Sequence, residues 1–182
     1  MTLNPLLWVL AAPWAMAVAD GAGTSVGQLK LQQLLDRPQD GYCLDVVGSG
    51  EYIRFDMPLT AHNCKPGLYQ DEAVSLTPEG AIYFPAYQRC VTAAGLNGRA
   101  VQGASLLIRE CGEQVPFMDA APLQRFDFLA DGRVRLKGSD LCLTAGPQSD
   151  RTFSAEHRWR ALYLDSCEMT DHSRNRWRFH QP

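Results

Sequence analysis

After residue 19 the chain has no apolar run long enough to cross a bilayer, which excludes a helical membrane span there. It also lacks an excess of positive charge. Seventeen Lys and Arg against 20 Asp and Glu leave a formal charge of −3, which excludes the basic footprint of a nucleic-acid partner. No G-x-S-x-G stands at a strand-to-helix turn, and the four histidines (His62, His157, His172 and His180) share no metal-ligand spacing. Neither a serine nucleophile nor a structural zinc is therefore expected, and no catalysis or cofactor. Helical periodicity is scarce as well; only "LKLQQLL" near the start has some helical character.

The first nineteen residues, "MTLNPLLWVLAAPWAMAVA", contain no charged side chain. Their apolar run from Leu6 is interrupted by Pro13 and ends in Ala17-Val18-Ala19, a small-x-small pattern. Residues 1–19 read as a secretory signal peptide, which predicts a secreted or periplasmic protein. The remaining ~163 residues suit one domain with its own core. All six cysteines follow the leader. An even count in an exported chain predicts disulfides, although six cysteines allow fifteen pairings.

A threefold repeat narrows that choice. "GQLKL", "GAIYF" and "GRVRL" begin at Gly27, Gly80 and Gly132, 53 and 52 residues apart. Each is a turn glycine followed by alternating apolar positions, the pattern of a strand with one buried face. Each leads to a first cysteine (Cys43, Cys90, Cys142), the first copy carrying a six-residue insertion within "QQLLDRPQDGY". Second cysteines follow at Cys64, Cys111 and Cys167, with apolar residues three and five positions before each. Spacings of 21, 21 and 25 residues favour one local bridge per copy: Cys43–Cys64, Cys90–Cys111 and Cys142–Cys167. A last strand closes each copy in "EAVSL", "QRFDF" and "NRWRF". Val74, Phe126 and Trp177, with Leu76, Phe128 and Phe179 behind them, should point inward. Four strands in each of three copies predict a closed, all-β architecture, with repeats at about 27–79, 80–131 and 132–182.

This triplicated unit, with its C-L-D-V, its internal disulfide and its Q-x-W-like strand, resembles the ricin B-type β-trefoil, the R-type lectin family. The resemblance covers about residues 24–182, although Gln124-Arg125-Phe126 and Asn175-Arg176-Trp177 are variants of the motif and Glu72-Ala73-Val74 is degraded. It implies a β-trefoil of three four-stranded repeats and a sugar pocket in each. Such a pocket uses an acid two residues after the first cysteine and a ring two residues before the second. Its third member is a polar residue just ahead of the last strand. A carboxylate accepts hydrogen bonds from paired sugar hydroxyls, and a flat ring packs on the sugar's C–H face.

Carried over by position, the first copy offers Asp45, His62 and Asp71, the second Thr92, Arg109 and Leu123, and the third Thr144, Asp165 and Arg174. Only the first keeps the acid and a ring, so at most one sugar site is expected, with Tyr52 or Phe55 as an additional ring. The competing reading makes Asp45 a turn residue bonded to nearby backbone. The basic cluster His157–Arg160 with Arg174, Arg176 and Arg178 reads as the solvated side of strands. Trp159, in the longest disulfide loop, either packs beneath it or presents an exposed ring. A glycan or glycoconjugate is the expected partner. The alternative is a protein-binding trefoil with decayed sugar sites, such as an accessory or cell-binding subunit of a bacterial toxin paired with a toxin or enzyme chain. A hydrolase or inhibitor on the same scaffold is a further reading.

Overall fold

The computed structural model describes residues 25–169 and 171–182. The signal peptide expected at 1–19 lies outside the described residues.

Three copies of one hydrogen-bonding plan build the molecule. In each, the glycine-led strand (Val26–Leu31, Ile82–Phe84, Val134–Leu136) pairs antiparallel with the strand carrying the first cysteine. The contacts are equivalent in all three: Lys30 opposite Cys43, Tyr83 opposite Cys90, Arg135 opposite Cys142. The cysteine strands (Tyr42–Asp45, Arg89–Ala93, Leu141–Ala145) then pair with Thr60–Asn63, Leu106–Glu110 and Arg158–Ser166. The fourth strands, Ala73–Leu76, Phe126–Phe128 and Trp177–His180, each pair with the first strand of the next copy. Ser75 meets Tyr83, Asp127 meets Arg135, and Arg178 meets Lys30. That last contact joins the end of the chain to its beginning. A β-trefoil results, as the repeat predicts.

The glycine that opens a copy is required by close approach. The amides of Phe126 and Trp177 donate to the carbonyls of Gly80 and Gly132 at 2.8 and 2.7 Å. Both glycines have positive φ (89° and 91°), which a side chain would strain. The alternating apolar residues that follow (Leu29 and Leu31, Ile82 and Phe84, Val134 and Leu136) are all buried in one core. Val74, Phe126 and Trp177 join them, and the indole of Trp177 donates to the carbonyl of Leu143 at 2.9 Å. One residue pair further along, burial falls off. Leu76 and Phe179 only edge the core, and Phe128, expected to point inward, is 41% exposed at the end of its short strand.

All three disulfides form as the repeat predicts, one within each copy. Helix among the described residues is limited to Ala120–Leu123 and two short 3-10 turns. The first-copy insertion is turn structure that docks on the third copy: Asp36 accepts from Tyr42 Oη at 2.8 Å and from Arg160 at 2.5 Å. Two second-copy hairpins, Gly95–Leu96 with Arg99–Ala100 and Gln114–Val115 with Met118–Asp119, extend beyond the repeat plan.

Candidate functional site: a carboxylate cluster in the first repeat

On the paired strands of the first copy, Cys43 lies opposite His62. Side chains alternate along a strand, so Cys43, Asp45, His62 and Cys64 share one face. Asp71 and Glu72 come to the same place from the turn before Ala73–Leu76, held by the amide of Val46, which donates to the carbonyl of Asp71 at 2.9 Å. Into this group reaches Lys65, the residue after Cys64. Its ammonium lies 2.9 Å from Asp45 Oδ2, 2.5 Å from Asp71 Oδ2 and 3.9 Å from Glu72 Oε1.

All three carboxylates are buried. Burial pushes Asp45 well above the usual carboxylate range, against the pull of Lys65 and with the help of Glu72 and Asp71. Burial likewise pushes Glu72 up to about 7. Although burial alone would lower it, Lys65 is lifted to about 12 by Asp45, Asp71 and Glu72. Burial, then the ammonium of Lys65, brings His62 down to about 4. The site thus holds more acid than its one lysine neutralises, and it keeps protons that exposed groups would lose.

The second copy shows what the position of Glu72 ordinarily does. There Gln124 accepts from the amide of Gly112 at 2.7 Å and donates to Thr92 Oγ1 and the carbonyl of Glu110 at 2.8 and 2.9 Å. Glu72 keeps the first of these bonds, accepting from the amide of Lys65 at 3.0 Å, and adds one from Gln28 at 2.9 Å. It has no N–H to make the others. Its Oε1 is buried and, among the described residues, has no hydrogen-bond partner.

The residues equivalent to Asp45 in the other copies are tied to the backbone. Thr92 and Thr144 are buried, and each hydroxyl donates to the carbonyl of the preceding cysteine at 3.0 Å. Leu123, on the short helical turn, is fully buried where the first copy has Asp71. In the third copy Arg174 reaches across to donate to the carbonyl of Ala145 at 2.8 Å. Arg109 is paired with Glu113, and Asp165 accepts from Gln102.

Beside the first-copy cluster opens a cleft of about 280 Å³, lined by Ser49, Gly50, Leu68, Tyr69, Gln70, Asp71 and Tyr87. Asp71 is therefore shared by the cluster and the cleft. The rings here are Tyr69 and Tyr87, not the rings expected from sequence. Tyr52 is 73% exposed and stands outside the cleft lining. Phe55 packs edge-on against Tyr87 at 5.2 Å and carries the guanidinium of Arg89 on its face. His62 is nearly buried, with Nδ1 3.0 Å from the carbonyl of Asn63 and its ring 5.7 Å from His157. Asp45, His62 and Glu72 bring ligand-type atoms within 4.8 Å of one another, an arrangement suited to a cation. The ammonium of Lys65 supplies positive charge there.

The basic cluster is not a patch. Arg160 is buried on Asp36 and the carbonyls of Gly146 and Pro147, Arg158 donates to Ser149, and of the C-terminal three only Arg178 is exposed. Trp159 lies across from His62 and is 37% exposed.

Lys65, Glu72, Tyr69 and Tyr87 are the residues that sequence reasoning missed. A signal was present for two of them. Aligned on the repeat, Glu72 puts a carboxylate where the other copies have the amides Gln124 and Asn175, at a buried position. Such a substitution calls for a nearby cation, and Lys65 follows the cysteine seven residues earlier.

Neither a family model nor a curated protein sequence matches this chain. Solved structures do match. An agglutinin from Abrus precatorius is 19% identical with a TM-score of 0.59, over 86% of this chain and 48% of that one. This chain thus spans about half the length of the agglutinin. The solution structure of an mdaA-1 domain is 18% identical (TM-score 0.59), covering 87% of this chain and 91% of that one. The β-trefoil lectin of a Vibrio vulnificus hemolysin/cytolysin, solved with N-acetyl-D-lactosamine bound, is 14% identical (TM-score 0.52; 88% and 96% coverage). At these identities the likeness establishes the β-trefoil fold.

Proposed function

We propose that this chain is an exported glycan-binding protein with one sugar site, in the first repeat, and no catalysis of its own. Export rests on the leader pattern at residues 1–19 and on three disulfides, which persist in oxidising compartments. No helix among the described residues is long and apolar enough to cross a membrane. One observation carries the sugar reading. Of three equivalent positions, only Asp45 is a carboxylate, and a cleft walled by the rings of Tyr69 and Tyr87 opens beside it. Lys65 engages Oδ2 of Asp45 and of Asp71, and among the described residues Oδ1 of each has no hydrogen-bond partner. Those oxygens are the acceptors for sugar hydroxyls, with Tyr69 and Tyr87 as the apolar wall. That trefoils of this fold hold saccharides is supported by the Vibrio lectin with its bound N-acetyl-D-lactosamine.

A glycan array on the full chain, followed by titration of Asp45→Asn, tests this. Removing one charged partner from a desolvated site costs about 2–4 kcal/mol, about half of the ~4–8 kcal/mol affinity of a shallow millimolar-to-micromolar site and enough to take it out of the measurable range. Asp45→Asn is expected to abolish binding with the melting temperature unchanged or higher, since the cluster is over-supplied with acid. Normal binding by Asp45→Asn places the ligand elsewhere.

The second reading, a protein-binding trefoil such as a toxin subunit, draws on the second-copy hairpins. Leu96, Val101, Val115 and Phe117 are all exposed there, Phe117 at positive φ, an apolar tip of the kind protein interfaces use. Phe117→Ser and Leu96→Ser would weaken a partner complex without altering glycan binding.

A further inference from the structure

Three carboxylates and one ammonium meet under the first-repeat cleft, and their hydrogen bonds do not close. Lys65 places its ammonium at 2.9 Å from Asp45 and 2.5 Å from Asp71 but leaves Glu72 Oε1 at 3.9 Å. That oxygen belongs to a side chain with 0% exposure and has no hydrogen-bond partner among the described residues, His62 Nδ1 also standing 3.9 Å away. A buried, unpaired carboxylate oxygen is costly. The carboxylates outnumber the one ammonium, and the balance is met by protons that burial retains on them, so the cluster can exchange a proton for a second cation.

Nearby cations are already engaged. Arg89 lies on the Phe55 ring at 5.0 Å, and Arg54 is paired with Asp56. The opening through which another cation can arrive is the cleft, because Asp71 lines it. Two phenol rings line it too, and the ammonium of Lys65 is already 5.9 Å from the centroid of Tyr69. Aromatic faces attract an ammonium in addition to the apolar face of a sugar.

We propose that the cleft selects sugars carrying a free primary amine, hexosamines whose nitrogen is not acylated; this rests on the glycan-binding reading above. The ligand's ammonium takes Asp71, between Tyr69 and Tyr87. Lys65, released from Asp71, moves toward Glu72 and closes the 3.9 Å gap while keeping Asp45. Two cations then face three carboxylates, and Glu72 Oε1 gains the bond it lacks. An N-acetylated sugar brings no charge and leaves Lys65 and Glu72 as they are.

Titration calorimetry on the full chain at pH 6.5 tests this with three probes: a β-1,4-linked glucosamine trimer, its fully N-acetylated counterpart, and n-butylamine. The free-amine trimer should bind at least about tenfold tighter than the acetylated one at low salt, with the ratio shrinking in high salt, as a partly solvated charge pair requires. Glu72→Gln, whose glutamine matches Gln124 in the second copy, should bring the ratio to about one. Asp71→Asn should do the same, should Glu72→Gln fold poorly. Equal affinity of the wild type for both trimers overturns the amine inference and leaves the glycan reading standing. A ratio untouched by either variant overturns it too. Binding of n-butylamine with no binding of either trimer overturns the amino-sugar inference, and a glycan array without a hit would overturn the glycan reading as well.

Discussion

Glu72 is the residue on which the chemistry of the site turns. A carboxylate sits where the repeat elsewhere uses an amide, and Lys65 answers it only in part. The consequence for stability has a definite sign. Glu72 is pushed from an ordinary 4.5 up to about 7, so the folded state holds its proton more tightly than the unfolded one. Stability therefore falls as pH rises through that window; Asp45, also raised, acts in the same direction. His62 is brought from 6.5 down to about 4, so its contribution falls as pH drops through that range. Between about 4.5 and 6.5 the two oppose each other and flatten the profile. Glu72→Gln should raise stability at pH 7.5 by about 1–2 kcal/mol, the cost of one unpaired buried polar group. The melting temperature of that variant should then fall clearly from pH 7 to 4.5, as His62 acts with less opposition. His62→Phe should show the reverse, a melting temperature that rises on acidification. Superimposable pH profiles for wild type and both variants would contradict this account. Asp45 and Asp71 were legible from sequence because the repeat aligns them. Lys65 was not, because a long side chain reaches over its neighbours and no periodicity records where its end goes.

At the scale of elements, the strand pattern was the most readable part. Glycine, two alternating apolar residues and a cysteine define each copy, and the same physical needs (a tight approach, a buried face, a staple) recur three times. The elements that escaped are those outside the repeat. The second-copy hairpins, the two-residue strand Asp150–Arg151 and the docked insertion are held by local turns and polar contacts such as Asp36 with Arg160, which leave no apolar period to read. The inward direction of Phe128 was misjudged for a related reason: the alternation continues to the end of the strand, but the core does not. The Val26–Leu31 strand carries a prediction of its own. It pairs with Trp177–His180, Tyr42–Asp45 and Ala73–Leu76, and it buries Leu29 and Leu31 completely. Deleting residues 26–31 should abolish the cooperative thermal transition, since it opens the barrel and removes two core leucines worth about 2–5 kcal/mol each when truncated. An unchanged melting curve would show that the strand is dispensable.

For the whole molecule, threefold structure and the one proposed site are compatible because they answer different demands. Each copy needs its disulfide and its core row to fold, so cysteines and apolar residues repeat. A ligand needs an acid only where it is held. The second and third copies have turned that position into packing and backbone hydrogen bonds through Thr92 with Leu123 and Thr144 with Arg174. Backbone amide chemical shifts recorded while the full chain is titrated with its best array glycan test this division most directly. The account predicts shifts confined to Asp45, Lys65, residues 68–71 and Tyr87, saturating at one ligand per chain. Shifts centred on Thr92 and Leu123 or on Thr144 and Arg174, or saturation at two or three ligands, would contradict it.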